Sequence, residues 1–202
     1  MRVRWAASVL ACFSVFAVMA VSGHAAPAQM PTAAGLWQQV DERGGKSLGW
    51  FLIYVNDQGL YEGAIAKMFI APGENQNPIC AHCQGEQKGR PSLGLTIIKN
   101  MQRNGLRYEN GSILDPRDGD IYSARMELSP NGRDLTVRGF LGIDLFGRNQ
   151  IWHRLPDSAL ASVDRSIIAA HARALLPLAG QPRPSSSHSQ PRGPQTRGPQ
   201  VR

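Results

Sequence analysis

The run Ile121-Tyr122-Ser123-Ala124-Arg125-Met126-Glu127-Leu128 decides the fold class. Its side chains alternate: Tyr122, Ala124, Met126 and Leu128 share one face of an extended chain, and Ser123, Arg125 and Glu127 share the other. A helix would scatter these apolar groups around its circumference, whereas a strand gathers them on a single dry face. Antiparallel sheets with one solvated side carry this pattern.

Outward from that run, the same period-two pattern, cut by turn signals, covers most of the chain. The expected strands are 36–40, 48–55, 60–70, 93–101, 106–108, 121–128, 135–141 and 149–154. Between them lie Arg43-Gly44-Gly45, Asn56-Asp57-Gln58-Gly59, Asn104-Gly105, Asn110-Gly111, Asp115-Pro116-Arg117-Asp118-Gly119 and Ser129-Pro130-Asn131-Gly132. These supply glycine for positive φ, proline for fixed φ, or Asx side chains that bond their own backbone, so neighbouring strands should pair as antiparallel hairpins. The run 48–55 is apolar on both faces, with Trp50, Leu52 and Tyr54 opposite Phe51, Ile53 and Val55. Such a strand needs cover on both sides, here from a C-terminal helix or a loop.

Closing about 8 to 10 such strands on themselves removes both sheet edges. The expected fold is therefore all-β, a small antiparallel up-and-down barrel. Gly35-Leu36-Trp37 opens the first strand and Trp152-His153-Arg154 ends the last. If those strands pair, Arg154 comes over the Trp37 indole, a cation–π contact of about 0.5 to 2 kcal/mol, and Trp152 joins the closure. Lipocalin-type barrels use a similar Gly-x-Trp with a distant Arg, and this part of the chain resembles them.

The formal charge of +7 falls to +1 once Arg2, Arg4, Arg183, Arg192, Arg197 and Arg202 are set aside. The basic character belongs to the two ends, so the domain offers no electrostatic case for nucleic acid. Residues 1–28 read as a signal peptide: Arg2 and Arg4 precede an apolar run, and Ala25, Ala26 and Ala28 offer a cleavage site. The expected location is periplasmic or secreted, with cleavage near 25–28; an uncleaved anchor or a lipoprotein box at Cys12 are the competing readings. A linker at 29–34 leads into the barrel at 35–155. In 156–176, Leu160, Val163, Ile167, Ala170 or His171, and Ala174 recur at helical spacing after Asp157 and Ser158, which predicts one amphipathic helix. It could pack on the barrel or act as a lid or partner contact. Residues 177–202 are Pro/Arg-rich, cannot bury apolar area and are expected to be disordered; the tail could touch an anionic envelope surface weakly.

The mature chain keeps Cys80 and Cys83, and in an oxidising compartment a pair of thiols tends to form a structural disulfide. A redox role would need a helix N-terminus to lower one thiol's pKa, and Asn77, Pro78, Gly85 and Gly89 suggest a loop instead. Zinc would need two further ligands, with only His82 nearby. Asp115, Asp118 and Asp120 miss the spacing of a calcium loop, and the glycines at 139, 142 and 147 lack the Lys-Ser/Thr of a phosphate loop. No catalytic residue, metal or cofactor is assigned. The remaining functional feature is an apolar interior, for which Tyr54, Tyr61, Met68, Phe69, Tyr122, Met126, Phe140 and Phe146 are candidate lining residues. A barrel of this size either fills with such side chains or holds one small ligand.

Taken together, Gly35-Leu36-Trp37, Cys80-x-x-Cys83-x-Gly85-Glu86, Pro91-x-Leu93-Gly94-Leu95, Ile113-Leu114-Asp115-Pro116-x-x-Gly119-x-x-Tyr122 and Gly147-Arg148-x-Gln150-x-Trp152-x-Arg154 resemble a bacterial exported family, domain of unknown function 2147. The likeness spans about residues 33–155. It implies a lipocalin-like barrel and a small apolar, fatty-acid-like ligand, and supplies no catalytic residues. Three functions follow for testing: a non-enzymatic binding barrel, a thiol or metal site at Cys80 and Cys83, or an envelope module using the basic tail.

Overall fold

The computed structural model describes residues 30–41, 43–141 and 148–176. Residues 1–28, where a signal peptide is expected, Phe146 and the basic tail lie outside the described residues. Eight strands form one closed barrel: β1 (Gly35–Val40), β2 (Ser47–Val55), β3 (Tyr61–Met68), β4 (Thr96–Asn104), β5 (Arg107–Leu114), β6 (Ile121–Leu128), β7 (Asp134–Phe140) and β8 (Arg148–Arg154). Each pairs antiparallel with its sequence neighbour, and β8 returns to β1 through Trp37 opposite Arg154 and Gln39 opposite Trp152.

The expected boundaries move most in β4 and β5. The fourth strand starts at Thr96 rather than at residue 93, because Gly94 takes φ 82° in the approach to it. The expected turn at Asn110-Gly111 is instead a bulge inside β5: Tyr108 faces Met126 and Gly111 faces Ala124, so β5 runs one residue longer than its partner over that step. Asn110 absorbs the mismatch at φ 60°, a left-handed conformation that asparagine tolerates. The extension carries β5 to Leu114.

Inward-facing side chains fill the barrel axis. Trp37, Ile53, Met101, Tyr108, Met126, Leu135 and Trp152 belong to one buried cluster, Phe51 stacks on Trp152 at 4.1 Å, and Tyr61 meets Tyr108 edge-on at 4.8 Å.

Both barrel ends are stoppered. At one, residues 30–34 do not form a free linker: the Ala33 amide donates to the Tyr108 hydroxyl, and the Trp37 indole donates to the Ala33 carbonyl. Arg154 lies 4.2 Å over the Trp37 ring while its guanidinium donates to the carbonyls of Thr32, Ala34 and Gly132. Gly35, at φ 131°, gives that guanidinium room, since a Cβ there would sit 2.7 Å from an Arg154 nitrogen. At the other end the Cys80 loop enters the core. Its backbone passes so close to the turn between β5 and β6 that a Cβ on Gly119 would collide with the His82 carbonyl.

Among the described residues, the C-terminal segment has an α-helix shorter than the sequence suggests: α1 spans Arg165–His171, preceded by a 3-10 turn at Asp157–Ser162 and followed by another at Arg173–Leu175. The break occurs at Val163-Asp164, where Val163 is extended and Asp164 caps α1 by accepting from the Ser166 amide. Leu160, Val163, Ile167 and Ile168 pack on Leu36, Leu52, Tyr54, Ala64 and Ala66, covering the outer face of β1 to β3.

Candidate binding groove

The residues proposed to line the interior separate on folding. Tyr61 and Met126 are buried inside, Met68 packs at the edge of that cluster, and half-buried Tyr122 lies on the same face near the start of β6. The other assignments are corrected. Tyr54 is buried on the outer face beneath α1, because it is in phase with Leu52 rather than with Ile53. Phe69 lies beyond the end of β3, 38% exposed, with its edge against Trp50. Phe140 pairs with Ser123, in phase with the outward side chains of β6, so it also faces out. Phe146 lies outside the described residues.

The open volume is on the flank. A groove of about 750 Å³ runs between the start of β4, the Cys80 loop and α1. Leu93, Leu95, Ile167 and Ala170 supply apolar wall; Arg90 and Lys99 supply cations; Glu62, Glu86, Asn100 and His171 supply further polar groups.

The Cys80 loop is rigidly held where it forms this wall. Cys80 and Cys83 are joined by a disulfide and both are fully buried. The Cys80 amide donates to the Arg90 carbonyl, the Gly89 amide donates back to the Cys80 carbonyl, and the Ser92 amide donates to the Pro78 carbonyl. Gln87, in a 3-10 turn at Gly85–Gln87, donates through Nε2 to the Thr96 carbonyl of β4. Sulfurs buried this way lack the access that thiol exchange requires, which favours a staple. Among the described residues no three His, Cys, Asp or Glu side chains gather to hold a metal ion.

The opposite wall is tied to the barrel by His171. Its Nε2 donates to the Gly94 carbonyl at 2.9 Å, and its ring lies 5.2 Å from that of Tyr54. The Tyr54 hydroxyl donates to Glu62 Oε2 at 2.9 Å and accepts from the Thr96 hydroxyl at 3.1 Å. Burial, opposed in part by the Thr96 hydrogen bond, pushes the Tyr54 hydroxyl far above the usual tyrosine range, so it remains a donor at any physiological pH.

Sequence reading missed Thr96, Lys99 and Asn100; it offers Glu62 only as one acid among Glu109, Glu127 and Asp144 that nothing in the sequence brings together, and His171 only as a position on the helix face. One signal was available: Ile98 and Met101, both fully buried, are three residues apart, an odd step that strict alternation does not allow and a bulge does.

Residues 35–154 match the family described as "uncharacterized protein conserved in bacteria (DUF2147)". The chain belongs to that family. No curated protein matches this DUF2147 member. A solved structure that does is protein HP1028 from the human pathogen Helicobacter pylori, described as belonging to the lipocalin family; it is 16% identical, aligns over 69% of this chain and 97% of its own, and has a TM-score of 0.56. That likeness establishes a shared lipocalin-like fold.

Proposed function

We propose that the protein is an exported, non-enzymatic binding barrel whose ligand is a small amphiphile of fatty-acid type seated in the flank groove. The carrying observation is the contrast between an axis occupied by side chains and a groove of about 750 Å³ with an apolar wall and two cations, Arg90 and Lys99. Ligand sites commonly occupy about 300 to 1,000 Å³ and combine apolar lining with a few placed polar groups. An acyl chain along Leu93, Leu95, Ile167 and Ala170 would leave its carboxylate for the cations. Export to the periplasm or beyond rests on the basic and apolar N-terminal sequence and on the paired cysteines.

Displacement of a fluorescent fatty acid from the mature chain tests the reading. Leu93→Asp and Ala170→Asp place a charge on the apolar wall at exposed positions, so folding is retained while affinity drops about tenfold or more. Met126→Leu, a volume-conserving change inside the barrel, should leave affinity unchanged. Displacement that responds to Met126 and ignores Leu93 and Ala170 would return the ligand to the axis.

A further inference from the structure

The barrel wall under the groove holds a polar arrangement that an acyl chain alone leaves unused. Between β3 and β4, Tyr61 faces Met101 and Gly63 faces Ile98, so β4 takes one residue more than β3 over this step. The surplus falls at Lys99-Asn100, and Asn100 takes φ 60°. Ile98 and Met101 are both fully buried in the inner cluster, so the two residues between them share the outer side, abreast of Glu62, and all three line the groove. Turning adjacent side chains toward one site is what a bulge accomplishes, and a left-handed asparagine is a local cost that the surrounding ladder must sustain.

Glu62 is half-buried and satisfied by neutral donors only. Asn56 Nδ2 donates to Oε1 and the Tyr54 hydroxyl to Oε2, each at 2.9 Å, and Glu62 takes part in no ion pair among the described residues. A carboxylate can accept about four hydrogen bonds, so acceptor capacity is left over on the groove side. Tyr54 cannot take up that capacity, since its hydroxyl already donates to Glu62.

Building on the acyl-binding reading, we propose that the groove selects amphiphiles whose anionic head carries a nearby hydrogen-bond donor, a hydroxyl or an ammonium, with the donor on Glu62 and the anion on Lys99. Glu62 of β3 and the Lys99-Asn100 bulge of β4 are abreast on adjacent strands, a placement that asks for a donor and an anion close together on the ligand. A 3-hydroxy or 3-amino acid meets it; a plain fatty acid leaves Glu62 facing apolar carbon, and a terminal hydroxyl on a long chain lies too far from the carboxylate.

Isothermal titration of the mature chain with decanoate, 3-hydroxydecanoate and 3-aminodecanoate tests this. At least one of the 3-substituted acids should bind about tenfold tighter than decanoate, the size expected of one hydrogen bond to a charged acceptor. A gain confined to one of them identifies the donor as hydroxyl or ammonium. Glu62→Gln should remove most of the affinity ratio between the 3-substituted acids and decanoate, and Lys99→Ala should weaken all three acids alike. If Glu62→Gln does not fold, Glu62→Asp, which withdraws the carboxylate by one methylene, should show the same loss of preference. Equal affinity for all three acids, or an equal loss for all three on changing Glu62, overturns the selectivity while the acyl site stands. Absence of binding by any of them overturns both.

Discussion

Inside the barrel, Phe51 and Ile53 of β2 pack against side chains from other strands of the wall, whereas outside it Leu52 and Tyr54 of the same strand meet a short turn-and-helix segment. The inner cluster is bounded on all sides: strands surround it, residues 30–34 close one end and the Cys80 loop closes the other. Among the described residues, the outer cluster is covered by Leu160, Val163, Ile167, Ile168 and their neighbours, and that cover stops at the groove. Equal hydrophobicity on two faces of one strand therefore has two outcomes, a core within and, at the margin without, the groove proposed above as the binding site.

The largest way to break this contrast is to hollow out the interior. Trp152→Ala should cost about 3 to 5 kcal/mol in denaturant unfolding, as expected when a fully buried aromatic is deleted, while any folded fraction keeps its groove affinity. A cost under about 1 kcal/mol would mean that the axis is not packed. Ile168→Ala probes the outer cover. The side chain is fully buried, so about 2 to 4 kcal/mol should be lost, and here ligand affinity should fall too, because α1 forms one wall of the groove.

The smallest effect belongs to neither cluster. Hydrogen bonds from Arg117 hold the Asp115 carboxyl below the usual carboxylate range. A depressed folded-state value stabilises the protein above the unfolded pKa, near 3.9 for Asp, and that contribution is lost as pH falls through the folded value. Arg117 is 87% exposed, so the pair is worth less than about 1 kcal/mol. Asp115→Asn should slightly flatten the fall in unfolding midpoint below about pH 4 and leave neutral-pH binding untouched.

The barrel was legible because its strands obey simple alternation and its turns carry the residues that turns require. The two-faced run 48–55 even indicated the outer cover, since Leu52 and Tyr54 had to be buried against something. Closure by Trp37, Trp152 and Arg154 was readable from a motif, but its seal was not: the carbonyls of Thr32 and Ala34 gain importance only once Arg154 is folded over them. The groove was illegible for a related reason. Glu62, Lys99 and His171 come from separate elements, and only strand register and the path of the C-terminal segment bring them to one place. Helical spacing after Pro156 was real but overextended, because Asp164 competes as a cap within the run and divides it.

The Cys80 loop has a mechanical consequence. Its sulfurs are seated in the core, its backbone is bonded to itself from Cys80 to Arg90 and from Pro78 to Ser92, and the Gln87 side chain ties it to Thr96 of β4, so this side of the groove is fixed to the barrel. The other side, α1, hangs from Leu155 and is latched to the barrel by a hydrogen bond from His171 to Gly94. The groove thus has one wall sealed to the barrel by a disulfide and backbone hydrogen bonds, and a second wall held to it by side-chain packing and the His171 hydrogen bond.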